Sequence, residues 1–326
     1  MNQLNKDTPV MLAPLAGVTD VAFRIICEEN GASKTFTEMV SVNALAFNNK
    51  ASQEIMFRSD LEKNSNIQIF GKDPDLIARV VKEKINPLEY FKEISFNMGC
   101  PAPKIFKNGQ GSALLKDPRE VYKIAKTLVD STDKIVNVKY RLGIDEDSIN
   151  YLEVGKALED AGVDYVILHA RTRDQQYQGK ARWEAIRELK ESLSIPVIAN
   201  GDIFSLKDFI DIIKITKADG VMIARGAMGN PFIFRQIKEY LAGKEISKID
   251  FKEILATIKK QYLLSMAYKD ERLVINQMRK HVGWYIKGLP SAASFRKRVN
   301  TARTSKEIFD LLDEYERYLE EDYDRE

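Results

Sequence analysis

The sequence predicts an α/β protein, a TIM (β/α)8 barrel followed by a small all-helical C-terminal domain. Eight short, nearly all-apolar segments alternate with longer helical patterns along most of the 326 residues. Apolar strands of this kind are typical of a parallel sheet that helices cover on both faces. Eight strand–helix units in about 240 residues match the size of a barrel. After about Gly243 the pattern is helical and contains no convincing strand.

The individual elements follow from periodicity and from capping signals. The predicted strands are, in chain order, Val10–Ala13, Thr35–Glu38, Ile67–Phe70, Ile94–Asn97, Ile135–Tyr140, Tyr165–His169, Val197–Asn200 and Val221–Ala224. Helices are predicted over Asp20–Asn30, Ser148–Ala161 and Ser205–Thr216, and also from Asp73 and Asp117, where proline follows the cap residue. A doubly wound sheet is the alternative, but the first strand leads into APLAG and not into a glycine-rich dinucleotide turn.

Two domains are expected from this division of the chain. Residues 1–243 are predicted to form the catalytic barrel, and residues 244–326 are predicted to form a helical domain. A segment of about 80 residues is a reasonable size for a small helical bundle. Leu289-Pro290 interrupts its periodicity and indicates separate helices.

Composition excludes several classes of protein. With 44% hydrophobic and 30% charged residues, the chain is neither disordered nor of low complexity. Cys27 and Cys100 cannot form a disulfide framework, and the two histidines, 112 residues apart, make no Cys/His metal cluster. The sequence shows no basic-then-apolar signal segment and no run of 18 apolar residues. We therefore expect a cytoplasmic protein without a metal, a membrane or an obligate protein partner.

The distribution of charge is more informative than its total. A net charge of +2 alone argues against binding to nucleic acid. However, residues 272–306 hold nine basic residues and no acidic ones, whereas residues 307–326 hold ten acidic residues and two arginines, a net of −8. Trp284 and Tyr285 lie within the basic segment, a combination that favours phosphate binding. The predicted RNA contacts in this segment are Arg279, Lys280, Lys287, Arg296, Lys297 and Arg298.

Polar or small residues follow each predicted strand, where the active site of a barrel lies. Asn200-Gly201-Asp202 follows the seventh strand, and Ala224-Arg225-Gly226 follows the eighth. Barrels commonly bind phosphate with these two loops, glycines allow a close approach of backbone N–H groups, and arginine supplies a charge. The two loops therefore predict a phosphate-binding site.

Three further residues carry candidate chemistry. Cys100, in NMGCPAPK, follows a strand in a Gly/Pro-rich loop, where a thiol can act as an acid or, beside a base, as a nucleophile. Lys139 ends a buried strand, which suggests either a Schiff base or a contact to an anionic cofactor. His169 follows four apolar residues and lies close to two arginines, which favours a place in the pocket.

These motifs together resemble the tRNA-dihydrouridine synthase family. The similar segments are APLAGVTDVAFR, QIFGKDP, NMGCPAPKI, GSALLKDP, VKYRLGID, HARTR with the following Tyr177 and Gly179, PVIANGDI and ARGAMGNPFIF, between about Pro9 and Phe234. NMGCPAPK with GSALLKDP is the most specific pair, whereas ANGD and ARG occur in many FMN barrels. Ala170 is a departure, since the family more often has glycine after the histidine.

The resemblance implies an FMN enzyme that reduces uridine in tRNA, with NADPH as the reductant. The implied cofactor contacts are Pro14, Leu15, Ala16, Gln68, Lys139, His169, Asn200, Gly201, Asp202, Ala224, Arg225 and Gly226. Asn97, Lys139, Arg141 and Arg171 are implied to contact the substrate. Hydride from the flavin would reach carbon 6 of uracil, and Cys100 would donate a proton to carbon 5. Lys139 and His169 complete the implied catalytic set.

Two other functions remain open at this point. One is an FMN barrel that acts on a free pyrimidine, as a dihydroorotate- or dihydropyrimidine-type enzyme does. The other is an RNA-binding module on an inactive barrel, which fits less well because the whole set of site residues is present. The basic segment favours an RNA substrate, and another RNA such as ribosomal RNA is an alternative to tRNA.

Overall fold

The computed structural model describes residues 5–323 and shows a parallel β-barrel surrounded by helices and followed by a helical region. The strands are β1 (Val10–Leu12), β2 (Thr35–Phe36), β3 (Val40–Ser41), β4 (Ser65–Phe70), β5 (Glu93–Met98), β6 (Ile135–Arg141), β7 (Tyr165–His169), β8 (Val197–Asn200) and β9 (Gly220–Ile223). Neighbouring strands pair in parallel, and β1 pairs with β9. A bridge between Met11 and Lys34 closes the ring. The predicted barrel is confirmed, and the doubly wound alternative is excluded.

The helices begin largely where the capping signals place them. They are α1 (Val21–Glu29), α2 (Val42–Ala46), α3 (Lys50–Ile55), α4 (Pro74–Val80), α5 (Pro103–Lys107), α6 (Pro118–Val129), α7 (Tyr151–Asp160), α8 (Trp183–Ser192), α9 (Leu206–Thr216), α10 (Phe232–Leu241), α11 (Phe251–Met266), α12 (Glu271–Tyr285), α13 (Ala292–Thr301) and α14 (Ser305–Tyr323). The side chains of Asp73 and Asp117 accept hydrogen bonds from first-turn N–H groups, with proline at the first helical position. Asp20 and Ser205 cap α1 and α9 in the same manner.

The second barrel strand differs from its prediction. The prediction is one unbroken strand over Thr35–Glu38, but β2 ends at Phe36 and a second short strand, β3, begins at Val40, beyond the predicted end. Thr35 pairs with Ser65, thirty positions later, whereas Val40 pairs with Ile69, twenty-nine positions later. One extra residue therefore bulges out between the two pairings, which bends the strand at the rim of the barrel.

Helix α7 is shorter than its prediction, which began at Ser148. Residues Glu146–Ser148 form a separate 3-10 turn, in which the Ser148 hydroxyl donates to Asp145 at 2.6 Å. Ile149 then returns to an extended conformation before α7 begins at Tyr151. The helical pattern of the sequence therefore extends past a point where local side-chain hydrogen bonds interrupt the helix itself.

The interior of the barrel is closed at one end and open at the other. Apolar side chains fill its middle, namely Met11, Ala13, Phe36, Ile167, Ile198 and Met222. At the amino ends of the strands, Lys34 pairs with the buried Glu93, which also accepts a hydrogen bond from the Tyr165 hydroxyl at 2.7 Å. This packed polar cluster leaves the carboxyl ends of the strands as the place for a cavity.

The helices α11 to α14 have a hydrophobic core of their own, and they also pack against the barrel. The rings of Phe23 and His281 are 5.6 Å apart. A Cβ on Gly229 would lie 2.4 Å from the carbonyl carbon of Trp284, so glycine permits this close approach. Residues 242–250 connect α10 to α11 and contain the expected domain boundary. None of the helices within residues 5–323 is both long and apolar enough to cross a bilayer.

Candidate active site

A cavity of about 890 Å³, including its open mouth, lies at the carboxyl ends of the strands. The predicted site residues that line it are Pro14, Leu15, Ala16, Gln68, Asn97, Cys100, Lys139, Arg141, His169, Asn200, Gly201, Asp202, Ala224, Arg225 and Gly226. Fifteen positions from seven strand ends thus converge on one space, as the barrel geometry predicts. Arg171 is the one barrel residue of the predicted set that does not line it.

Asn97 shapes the loop that carries Cys100. Its side-chain oxygen accepts hydrogen bonds from the backbone N–H groups of Gly99 at 3.0 Å and Cys100 at 2.9 Å. Its amide nitrogen donates to Gln68 at 2.9 Å, and Gln68 in turn donates to Ser95 at 3.1 Å. This chain of amides turns the backbone directly after β5 and brings the thiol to the cavity.

The Cys100 thiol is held in its protonated form. Burial raises its pKa, and this effect outweighs the opposing influence of the Ala102 N–H and of the cations Arg141 and Lys139. A thiol whose pKa lies above its ordinary value is neutral at pH 7. Of the two roles open for this residue, the environment favours the acid over the nucleophile.

Lys139 places an amine next to Cys100 in the same cavity. Burial, reinforced by the nearby charge of Arg141, lowers the pKa of this amine to about 7. Among residues 5–323, none accepts a hydrogen bond from its Nζ atom. A half-buried amine without an acceptor is a site for an anion, which would favour its protonated form, or for a carbonyl oxygen.

Arg141 is fixed by the protein itself. Its Nε atom donates to the carbonyl oxygen of Gly99 at 2.9 Å, and its Nη1 atom donates to those of Thr172 and Gln176 at 2.8 and 2.9 Å. Burial lowers its pKa to about 10, so it remains charged at neutral pH. The guanidinium therefore ties the Cys100 loop to the loop after β7 and presents a rigid charge to the cavity.

His169 lies at the end of β7 with only 6% of its surface exposed. Burial, followed by the charges of Arg141, Lys139 and Arg171, lowers its pKa well below its usual range. The imidazole is therefore neutral and can both donate and accept a hydrogen bond.

Asp202 links Arg225, which is predicted to bind phosphate, with Arg171, which is predicted to contact the substrate. Its Oδ2 atom accepts from Arg171 at 2.6 Å and from the Ala181 N–H at 2.8 Å, and its Oδ1 atom accepts from Arg225 at 3.0 Å. Burial alone would raise the pKa of Asp202, but the hydrogen bonds from Arg171 and Ala181 hold it below its usual range. The ionised carboxylate therefore holds the guanidinium groups of Arg171 and Arg225 in place.

Arg171 occupies a different place from the one its prediction implies. Only 1% of it is exposed, and it donates to the carbonyl oxygens of Gln178 at 3.0 Å and Gly179 at 2.7 Å, besides Asp202. It holds the loop after β7 against the loop after β8. The side chain does not reach the cavity, so a direct substrate contact has no support in this geometry.

The glycines of the last two loops allow the two loops to pack closely together, besides allowing a ligand to approach the backbone N–H groups. A Cβ on Gly226 would lie 1.9 Å from the carbonyl oxygen of Ile203, so the two loops touch backbone to backbone. Gly201 has a φ of +132°, and a Cβ there would lie 2.9 Å from Ala181. Larger residues at either position would separate the loops that form this side of the cavity.

Two aromatic residues at the cavity mouth were missed as sites. Tyr177 is 46% exposed, and its ring lies 4.7 Å from the Arg225 guanidinium. Phe204 is 48% exposed and lies 5.4 Å from the same group. Tyr177 belongs to a loop directly after HARTR, and the nearness of that loop to a strand end was the available signal. No residue pattern singles out Phe204.

The six predicted RNA contacts of the basic segment divide into two groups. Arg279 donates to the carbonyl oxygen of Ala302 at 3.1 Å, Lys280 donates to that of Gly17, and Arg298 pairs with Glu314. Lys287, Arg296 and Lys297 are exposed and have no ion pair or side-chain hydrogen bond within the described residues. Half of the predicted set is therefore available to phosphates.

The aromatic residues of that segment are not available to stack on bases. Tyr285 is 3% exposed and donates to Gln261 at 2.9 Å, while Trp284 packs against the barrel core. The two aromatic side chains therefore add nothing to the phosphate-binding prediction, which depends on the exposed cations of the segment. Part of the acidic segment pairs with basic residues of α11 and α13, and residues 324–326 lie outside the described residues.

Comparison with known proteins is consistent with this geometry. The family model described as dihydrouridine synthase matches residues 11–321. The chain is 37% identical over 316 residues to the probable tRNA-dihydrouridine synthase 1 of Synechocystis, covering 96% of this chain and 88% of that protein. It is 38% identical to the probable tRNA-dihydrouridine synthase of Rickettsia conorii, with 89% and 88% covered, and 36% identical to tRNA-dihydrouridine synthase B of Pseudomonas syringae, with 89% and 86% covered.

Among solved structures, an old yellow enzyme homologue from Zymomonas mobilis aligns with a TM-score of 0.50 and 10% identity. The alignment covers 76% of this chain and 92% of that one, and it shows the shared barrel fold. The family model spans both the barrel and the helical region. The chain belongs to the dihydrouridine synthase family.

Proposed function

We propose that this protein is an FMN-dependent tRNA-dihydrouridine synthase, which reduces the 5,6 double bond of uridine in tRNA. One observation carries the proposal: the cavity is lined by a neutral thiol, Cys100, and by a half-buried amine that lacks an acceptor among the described residues, Lys139. Membership of the family and the names of the relatives support it. The arrangement suits the delivery of a proton to a ring that is being reduced.

The residues of the cavity fit FMN. Lys139 offers a positive charge to the electron-accepting end of a flavin, and Pro14, Leu15 and Ala16 offer a wall for its ring. Arg225, held by Asp202, offers a fixed charge to the phosphate. The neutral His169 can hydrogen-bond either to a carbonyl oxygen or to an N–H group. Asn200, Gly201, Ala224 and Gly226 complete this side of the proposed site.

The chemistry follows from the substrate. The 5,6 double bond of uracil is conjugated with the carbonyl at carbon 4, so carbon 6 is the electrophilic end and carbon 5 receives a proton. FMN held by these residues, once reduced by NADPH, would supply a hydride for carbon 6. Cys100 donates the proton to carbon 5, a step for which its raised pKa keeps the thiol protonated.

Other residues prepare that proton transfer. Lys139 and Arg141 present donors to the uracil oxygens and stabilise negative charge on the ring as it is reduced. Asn97 acts through the Cys100 loop, because both ends of its amide are already hydrogen-bonded within the protein. Arg171 acts through Asp202 and the loop after β7.

An RNA substrate explains the exposed cations. A uridine inside a folded RNA must be flipped out to enter a cavity at a barrel mouth. The energy for this has to come from contacts elsewhere on the RNA, and the unpaired Lys287, Arg296 and Lys297 can bind its phosphates. A free pyrimidine would need none of these contacts. They favour RNA over the alternative substrate.

The proposal is tested with purified protein, NADPH and tRNA that lacks dihydrouridine, using mass spectrometry of nucleosides. The wild-type protein is expected to carry FMN and to form dihydrouridine. Cys100→Ala is expected to keep FMN and to lose about 10²- to 10⁴-fold in rate, the usual contribution of a general acid. Cys27→Ala, at a buried cysteine outside the cavity, is the control and should stay active. Normal activity of Cys100→Ala, or a wild-type protein that binds no FMN, would contradict the proposal.

A further inference from the structure

Residues 14–20 lie in the connection between β1 and α1 and are called the β1 loop below; the first three of them form part of the cavity wall. The β1 loop is anchored first within itself. The Thr19 hydroxyl accepts from the Leu15 N–H at 2.9 Å and donates to the Leu15 carbonyl oxygen at 3.2 Å. The barrel adds a second anchor, because Glu38, beside the bulge of the second strand, accepts from the Gly17 N–H at 2.5 Å.

A third anchor comes from the helical region. Lys280, on α12, donates from Nζ to the carbonyl oxygen of Gly17. Lys269, just before α12, pairs with Asp20 at 2.5 Å and donates to Gln277 of α12 at 2.8 Å. Both peptide groups that flank Gly17 are thus held, one by the barrel and one by the helical region.

Gly17 is suited to this junction. Its φ of +68° lies in the left-handed region, and a Cβ there would lie 3.2 Å from Lys280 Nζ. The loop therefore brings its backbone, without a side chain in between, to the end of the lysine. The three residues before Gly17 line the cavity, whereas Lys280 does not.

Lys280 differs in this respect from the other exposed lysine near α12. Lys287, seven residues later in the same basic segment, has no partner among the described residues. The charge pattern of the sequence assigns both lysines to RNA. In the structure only Lys287 keeps all three of its N–H donors free for a phosphate.

We propose that Lys280 is a positioning residue of the active site, which holds the cavity-lining β1 loop against α12 and does not serve as an RNA phosphate ligand. The inference rests on the proposed function, since it takes the β1 loop to be the wall that FMN contacts. Its effect is to make the flavin site depend on the helical region as well as on the barrel.

The test compares Lys280→Met with Lys287→Met in the full-length protein. In Lys280→Met, the dissociation constant for FMN, measured by quenching of flavin fluorescence, is expected to rise about threefold to tenfold, the range for the loss of one ordinary hydrogen bond, because the exposed lysine acts on the flavin only through the loop. Hydrogen exchange of residues 14–18 in the flavin-free protein is expected to become faster. Lys280→Arg, which keeps a cationic donor, should restore both values.

Binding of tRNA separates the two lysines. In Lys287→Met, the slope of log affinity against log salt concentration should fall by about 0.7 to 0.9, the amount for one phosphate contact, while FMN affinity stays unchanged. In Lys280→Met, the slope should stay at the wild-type value. The inference is overturned if Lys280→Met shows wild-type exchange and FMN affinity, or if it lowers the salt slope as much as Lys287→Met does.

The outcome is distinguishable from failure of the proposed function. If the wild-type protein bound no FMN or formed no dihydrouridine, the proposed function would fail. The exchange of residues 14–18 and the salt slopes would still decide what Lys280 does. Thermal unfolding of each variant shows whether the fold is intact, and little change is expected at exposed lysines.

Discussion

Cations at the carboxyl end of the barrel differ from cations of the basic segment in their burial and in their hydrogen-bond partners. Arg141 and Arg171 are almost fully buried, and backbone carbonyl groups and Asp202 fix their guanidinium groups. Lys287, Arg296 and Lys297 are exposed and have no partner within the described residues. The same residue types therefore form a rigid frame in one region and a free surface in the other.

The difference corresponds to two kinds of recognition. Charges that are held in place before a ligand arrives lose little entropy on binding, and they favour one compact ligand in one geometry. Exposed charges on long side chains tolerate many arrangements of a polyanion, and salt weakens them strongly. The barrel end is thus suited to a cofactor and one base, and the basic segment is suited to the backbone of an RNA.

The largest expected effect comes from breaking the rigid frame at Asp202. Asp202→Asn removes the charge that holds both Arg171 and Arg225, and it leaves Arg171 buried without a counter-charge. Breaking a buried pair in this way typically costs about 3–5 kcal/mol in the free energy of unfolding. We expect a loss toward the lower end of that range, measured by denaturant unfolding, and an FMN affinity lower by about tenfold or more.

Asp174→Asn is the matched control for this change. Asp174 also pairs with an arginine, Arg173, at 2.5 Å, but half of its side chain is exposed. Exposed pairs contribute about 0–1 kcal/mol, so stability and FMN affinity should hardly change. Equal effects of the two substitutions would show that Asp202 is an ordinary surface partner and that the frame is not preorganised.

The second prediction concerns the pH dependence that Lys139 gives to the barrel end. Its pKa of about 7 in the ligand-free protein lies below the usual lysine value, so the folded chain binds fewer protons there than the unfolded chain. Stability of the ligand-free protein should therefore gain from Lys139 as pH rises from about 7 toward 10.

Binding of anionic FMN favours the protonated amine of Lys139, so the affinity for FMN should fall by up to about tenfold per pH unit above 7.

Titrations of FMN binding between pH 6 and 9 check this sign. In Lys139→Met, FMN affinity should no longer fall as pH rises above 7. Any pH dependence of the affinity that remains is assigned to the phosphate of FMN. Lys134→Met is the control, because burial also lowers the pKa of Lys134, but that lysine donates to Leu88 and Phe91, away from the cavity. A decline that persists unchanged in Lys139→Met would show that another group carries it.

The two regions also differ in how far the sequence alone could predict them. Around the barrel, apolar runs locate the strands, and the barrel geometry then brings Cys100, Lys139 and Asp202 together without any knowledge of side-chain contacts. Residue type does not say where an arginine points. Arg141 and Arg171 follow neighbouring strands, yet only Arg141 lines the cavity, because the carbonyl acceptors of Arg171 lie in a loop seven and eight residues later.

In the basic segment, the charge pattern of the sequence locates the basic surface but does not show which of its side chains lack a partner in the folded protein. Arg279 and Arg298 have the same charge as Arg296 and Lys297, and their acceptors, Ala302 and Glu314, become neighbours only when α12, α13 and α14 pack together. The burial of Tyr285 likewise depends on which face of α12 meets α11. These are long-range contacts, which local patterns do not encode.

The smallest expected effect distinguishes two adjacent residues of the basic segment. Lys297→Ala removes an unpaired charge, so tRNA affinity should fall a few-fold and the salt slope should decrease by about 0.7 to 0.9. Arg298→Ala removes a guanidinium that donates to both oxygens of Glu314, at 2.6 and 2.5 Å. An RNA phosphate would have to displace that carboxylate, so the slope should change less. Equal decreases would mean that the RNA breaks the Arg298–Glu314 pair, and the surface would then be larger than the unpaired residues indicate.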